Sequence, residues 1–183
     1  MAIYYRSGGT NNSDTGRIVQ VVTNEKSNVF SQSVTQGSET QTILGTNITM
    51  HDSGNKVLVM AQVSAALNTT HGRSASLYRG TAQLLIGDTD GGRSKRQAGS
   101  SSSNSSSHSV IYLMNLDTPG AGTHTYGFRL SHQENNTLTC YLNRTDADTN
   151  GSHIARVTSS IVLMEIAAWI TITMQLEKLI QMW

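Results

Sequence analysis

The sequence predicts an all-β fold, an antiparallel sandwich or barrel, on three observations. Short runs rich in Val, Ile, Thr and Tyr alternate with clusters of Gly, Asn, Asp and Ser along the chain, the pattern of many short strands joined by turns. Within the runs, apolar and polar residues alternate with a period of two. Thr125-Tyr126-Gly127-Phe128-Arg129-Leu130 is the clearest case, setting Tyr126, Phe128 and Leu130 on one face. No helical period of ten or more residues occurs before position 168, and the single proline leaves the ladders almost free of residues that cannot donate to them.

Ten strands are predicted in order. The first four lie at about 17–23 (Arg17-Ile18-Val19-Gln20-Val21-Val22), 28–34, 41–50 and 56–66, the last carrying Lys56-Val57-Leu58-Val59-Met60. The others lie at about 75–79, 81–87, 108–116 (Val110-Ile111-Tyr112-Leu113-Met114), 123–132, 137–143 and 158–167. Two segments lack a periodic apolar face and read as loops. Gly87 to His108 is a long excursion, or an exposed strand with a serine-rich tip, and Asn143 to His153 is polar and acidic. After Ala168, Ile170, Ile172, Met174 and Leu176 alternate like a strand, while Ile172, Leu176, Leu179, Ile180 and Trp183 also fit a helix. Either way Trp169, Met174, Leu179, Met182 and Trp183 are costly to expose, and Trp169, Leu176, Leu179, Ile180 and Trp183 read as a docking tail.

Composition narrows the function. The 183 residues carry 13 Lys and Arg against 12 Asp and Glu, a net charge of +1, and only 14% of residues are charged, against about a quarter in an ordinary soluble domain. Ser, Thr and Asn supply 58 residues in their place. A chain so weakly charged lacks the self-repulsion of a disordered segment, and the absence of a basic excess argues against nucleic acid as a partner. Cys140 is the one cysteine, which excludes an internal disulfide or thiolate zinc site. Its alternating neighbours, Thr137-Leu138-Thr139-Cys140-Tyr141-Leu142, mark it as a small core residue. The first ten residues contain no apolar h-region, so no secretory signal is expected. The apolar stretch from Ile161 to Trp183 is interrupted by Glu165, Glu177 and Lys178, so membrane insertion is not expected either.

Candidate chemistry is sparse. Asp146-Ala147-Asp148-Thr149-Asn150-Gly151 matches the first half of a calcium loop, but the position of the closing carboxylate is Val157 and the segment reads first as a polar turn. The six histidines show no metal-ligand spacing, and no nucleophile elbow, phosphate loop or dinucleotide fingerprint occurs. Neither an enzyme nor a bound cofactor is expected. Arg73, Arg79, Arg93, Lys95 and Arg96 form a basic cluster around the long loop, with His108 at its end. It reads as a solvated rim or, alternatively, as a surface in which Arg93, Lys95, Arg96 and His108 recognise an anionic host-surface glycan or lipopolysaccharide phosphate.

Four motifs recur in a fixed order: Gly16-Arg17-Ile18-Val19-Gln20-Val21-Val22, then Lys56-Val57-Leu58-Val59, then Asp117-Thr118-Pro119-Gly120 leading to Thr123-His124-Thr125-Tyr126, and finally Asn143-Arg144 followed by Ser159-Ser160-Ile161-Val162-Leu163-Met164-Glu165-Ile166. Together they resemble a module at the C-terminal ends of tail-fibre and other virion proteins of marine bacteriophages. The resemblance spans about residues 16–167. The family module often ends near Met-Glu-Ile, whereas this chain continues from Ala167 to Trp183.

The similarity implies a jelly-roll of the kind shared with complement C1q and tumour-necrosis-factor domains, associated as a homotrimer, with no catalytic residues. It divides the chain into an N-terminal arm (1–15), a sandwich (16–167) and an apolar docking tail (168–183). The expected function is a structural virion protein on the tail or capsid exterior, most simply a trimeric tail-fibre or fibre-tip component contributing to host attachment. Its partners would be itself and, through the tail, other virion proteins. A capsid decoration protein without receptor binding and a C1q-like or lectin-like module are the alternatives. A symmetric trimer also suits the composition, since it can bury broad neutral Ser, Thr and Asn surfaces.

Overall fold

The computed structural model describes residues 16–69, 72–88, 91, 95–100, 107–150 and 155–168. The proposed arm (1–15), Arg93 and the docking residues Trp169, Leu176, Leu179, Ile180 and Trp183 lie outside the described residues. Eleven strands are described: β1 (Ile18–Lys26), β2 (Phe30–Val34), β3 (Leu44–Thr49), β4 (Lys56–Leu67), β5 (Arg73–Arg79), β6 (Ala82–Gln83), β7 (Ala98–Ser100), β8 (Ser109–Asp117), β9 (Thr123–His132), β10 (Leu138–Leu142) and β11 (Ser159–Ile166). No helix occurs among the described residues.

Every expected strand region contains a strand, with two differences. The run at 81–87 shrinks to Ala82–Gln83, because the amide of Leu84 turns to the carbonyl of Leu77 and Leu85 takes a positive φ of 44°. Inside the long segment read as a loop, Ala98–Ser100 pairs with β5 as β7. Three residues on an edge carry too little periodicity to be seen in sequence.

The strands form two antiparallel sheets. In the first, β4 is central: β8 lies along one side, while β11 and β10 share the other and are bordered by β1 and β2 respectively. The second runs β3-β9-β5, with β6 and β7 both on the far side of β5. Treating β1/β2, β6/β7 and β10/β11 as interrupted strands leaves eight. Their orders are first-eighth-third-sixth and second-seventh-fourth-fifth, the wrapping of a jelly-roll. The break between β10 and β11 falls at Asn143, which is fully buried with φ 62°, a conformation Asn tolerates better than most residues. Its side chain donates to the carbonyls of Lys26 and Asn28 and accepts from the hydroxyl of Ser159, joining the β1–β2 turn to β11.

Alternation places Val57, Val59, Ala61, Val63 and Leu67 of β4 against Ala75 and Leu77 of β5 and Tyr126, Phe128 and Leu130 of β9 in one core. Each large side chain so buried contributes about 1.5–3 kcal/mol. At Gly127 the fold requires glycine: a Cβ there would overlap the Thr42 side chain and lie 2.9 Å from the carbonyl oxygen of Leu44.

Two polar groups close the sandwich edges. Asp117 accepts from Arg79 Nη1 and the Tyr126 hydroxyl, each at 2.7 Å. Glu165, wholly buried on β11, accepts from Asn55 Nδ2 (2.7 Å), Gln20 Nε2 (2.6 Å) and the backbone N–H of His51 (2.9 Å), with His51 Nδ1 at 2.8 Å.

Candidate functional site

Among the described residues, most of the exposed large hydrophobic side chains lie on β1 and β8, in the sheet centred on β4. Residues directly opposite in a ladder share a face, so register defines its rows. Leu116, Leu58, Met164 and Val21 make one row across β8, β4, β11 and β1. Met114, Met60, Val162 and Thr23 make the next, followed by Tyr112, Gln62, Ser160 and Glu25. Eight large hydrophobic residues are exposed among those described, and six of them, Ile18, Val21, Val110, Tyr112, Met114 and Leu116, belong to β1 and β8. Tyr112 is 73% exposed and Met114 63%. Between them and Met60, Gln62, Ser160 and Val162 runs a groove of about 290 Å³. Exposed apolar side chains gathered on one face make it a candidate interaction surface.

Sequence reading placed interaction in the loop and tail and missed this face. The available signal was the apolar character of both faces in Val57-Leu58-Val59-Met60, Val110-Ile111-Tyr112-Leu113-Met114 and Ile161-Val162-Leu163-Met164. An antiparallel sheet wetted on one side should alternate apolar with polar.

The loop residues separate in the structure. Lys95 is exposed. Arg96 is not a free recognition fork: Nε donates to Ser131 Oγ (2.7 Å), Nη1 to the Lys95 carbonyl (3.0 Å) and Nη2 to the Gly37 carbonyl (3.3 Å), with Glu39 3.5 Å from Nη1. Glu39 also accepts from the Tyr78 hydroxyl and lies 3.9 Å from Arg129, whose guanidinium stacks 3.9 Å above the Tyr78 ring. Burial and the Glu39 hydrogen bond push the Tyr78 hydroxyl up to about 12. His108 is half-buried, and its Nδ1 is buried without a hydrogen-bond partner. Arg73 and Arg79 also depart from a solvated rim. Arg73 is 2% exposed, and Arg79 is paired with Asp117.

In the acidic loop, Arg156 grips Asp148 with two bonds of 3.1 and 2.8 Å, and Arg144 stands 3.6 Å away. The Arg156 hydrogen bonds hold the Asp148 carboxyl below its usual range. Arginine thus takes the Asp148 carboxylate, one of the groups a calcium ion would use. No group of three or more His, Cys, Asp or Glu among the described residues is placed to hold a metal. Cys140 is buried, and desolvation raises its thiol to about 12, leaving it unreactive as a nucleophile.

No protein-family model and no curated protein matches the chain.

Proposed function

We propose that this chain is a structural bacteriophage virion protein, a tail-fibre or fibre-tip component that works as a homotrimer and contributes to host-surface attachment. The order of short motifs over residues 16–167 supports the virion reading. The observation that carries self-association is the apolar outer face of the β4 sheet. Its occupant is another copy of the chain. β8 is an edge strand of that sheet, touched by Gln97 Nε2 at the Met114 carbonyl (2.8 Å), and carries Tyr112, Met114 and Leu116, while the neighbouring strands carry Leu58, Met60, Val162 and Met164. Packing the β8 edge of one copy onto the β4–β11 part of the same face on the next is heterologous, and it closes as a three-membered ring when the rotation between copies is a third of a turn. Glu25 and Lys56 sit at opposite ends of the face and leave its middle uncharged, as a dry contact requires. Three copies would present three weak receptor sites, whose avidity can exceed the single affinity by about 10²–10⁴.

Sedimentation equilibrium tests the assembly. The expected mass is three times the 19.8 kDa of the chain, falling to one chain in Met114→Lys with its fold retained. A wild-type monomer at high micromolar concentration removes the proposal. Electron microscopy of the assembled particle tests the location: density at the tail tip supports attachment, and density on the capsid face replaces it with shell decoration.

A further inference from the structure

At one end of the sandwich, opposite the Asp117 corner, a buried cation has no counter-ion among the described residues. β5 projects Arg73, Ala75, Leu77 and Arg79 toward the interior, because these pair across the ladder with the inward-facing His132, Leu130, Phe128 and Tyr126 of β9. Arg79 meets the carboxylate of Asp117. Arg73, six residues earlier on the same face, meets only neutral acceptors among the described residues. Its Nη1 donates to the carbonyls of Ala65 (3.4 Å) and Ser107 (3.2 Å) and to Ser109 Oγ (3.2 Å).

The other two nitrogens, Nε and Nη2, are buried and have no hydrogen-bond partner. They are the two parallel donors on one edge of the guanidinium, the edge that matches two oxygens of a carboxylate, sulfate or phosphate. Desolvation pulls the pKa of Arg73 down, with no carboxylate acting against it. A buried charge left in this state is strongly destabilising. Its ladder neighbour cannot fill the gap. His132 accepts from the Glu134 amide at Nδ1, so Nε2 carries the proton and donates to the Val34 carbonyl at 2.7 Å. A cleft of about 460 Å³ lies at this end of the sheet, with Arg73, Ser74, Arg96, Gln97 and Ser100 among its lining and no carboxylate among the described residues of its wall.

We propose that Arg73 is the fork of an oxyanion-binding site, receiving a carboxylate, sulfate or phosphate group through the cleft beside β7. The ligand contributes two oxygens to Nε–H and Nη2–H and supplies the negative charge that Asp117 supplies to Arg79. The site is independent of the trimer contact, which uses the other sheet.

The test is a titration of the full chain followed by ¹H–¹⁵N spectra of the arginine Nε–H groups, with phosphate, sulfate, acetate or glucuronate added at ionic strength held constant with chloride. The Arg73 Nε–H resonance is expected to shift saturably, and Tm to rise with the same midpoint. Arg73→Lys, which keeps the charge and loses the fork, should abolish both responses. Tighter response to glucuronate than to acetate identifies a glycan acid as the ligand source, and equal response identifies a free anion. An Arg73 resonance unmoved by all four anions at tens of millimolar overturns the proposal, as does an equal Tm rise in Arg73→Lys. Should that variant fail to fold, the wild-type spectra decide alone.

Discussion

Glu165→Gln isolates the buried carboxylate that ties β11 to β1 and to the turn before β4. Burial alone would push the pKa of Glu165 up, but hydrogen bonds from Asn55, Gln20 and both the side chain and amide of His51 outweigh it and bring the value from 4.5 down to about 2. An unfolded chain binds this proton near the ordinary value, while the native state resists it until about pH 2. Between those limits the unfolded state holds more protons, so acidification favours unfolding. The linkage is worth about 3 kcal/mol, fully present above pH 4.5 and lost as pH falls toward 2. Urea unfolding followed by circular dichroism from neutral pH down to about pH 2 measures it in wild type and Glu165→Gln. At neutral pH the variant should be less stable by about 2–4 kcal/mol, because the amide nitrogen faces the donor Gln20 Nε2 where a carboxylate oxygen accepted. The gap should close as pH falls, leaving the variant with the flatter profile. Parallel loss of stability in both proteins over that range would refute the reasoning.

Three other perturbations follow from the same structure. Asp117→Asn leaves Arg79 facing a neutral amide beside Tyr126, and a loss of about 2–3 kcal/mol is expected in denaturant titration; an unchanged midpoint would show the corner to be dispensable. Gly127→Ala forces a methyl against the Leu44 carbonyl and Thr42, so a cost of about 1–3 kcal/mol is expected, with a lower Tm as the readout. Thiol labelling of Cys140 should proceed only at the rate of opening and should accelerate in urea, since the thiol is buried and protonated; rapid labelling of the native protein would contradict its placement.

Local alternation made the strands legible. Tyr126, Phe128 and Leu130 fall on one buried face as their spacing requires, and Cys140 packs as its neighbours implied. The roles of charged residues were not legible, because their partners are distant in the chain. Glu165 draws Gln20 from 145 residues away and Asn55 from 110. Arg73 and Arg79 look alike in the sequence, yet Arg79 meets Asp117 whereas Arg73 meets two carbonyls and a serine hydroxyl.

By itself the sequence determined the strand periodicity, and with it the all-β class, because side-chain direction in an extended backbone depends only on the parity of position. The tertiary structure decided which of two apolar faces is covered. Val59, Ile111 and Leu163 are buried against the second sheet, whereas Met60, Tyr112 and Val162 are left on the outside. Parity cannot make that choice, since it separates two faces without saying which will find a second sheet to pack against.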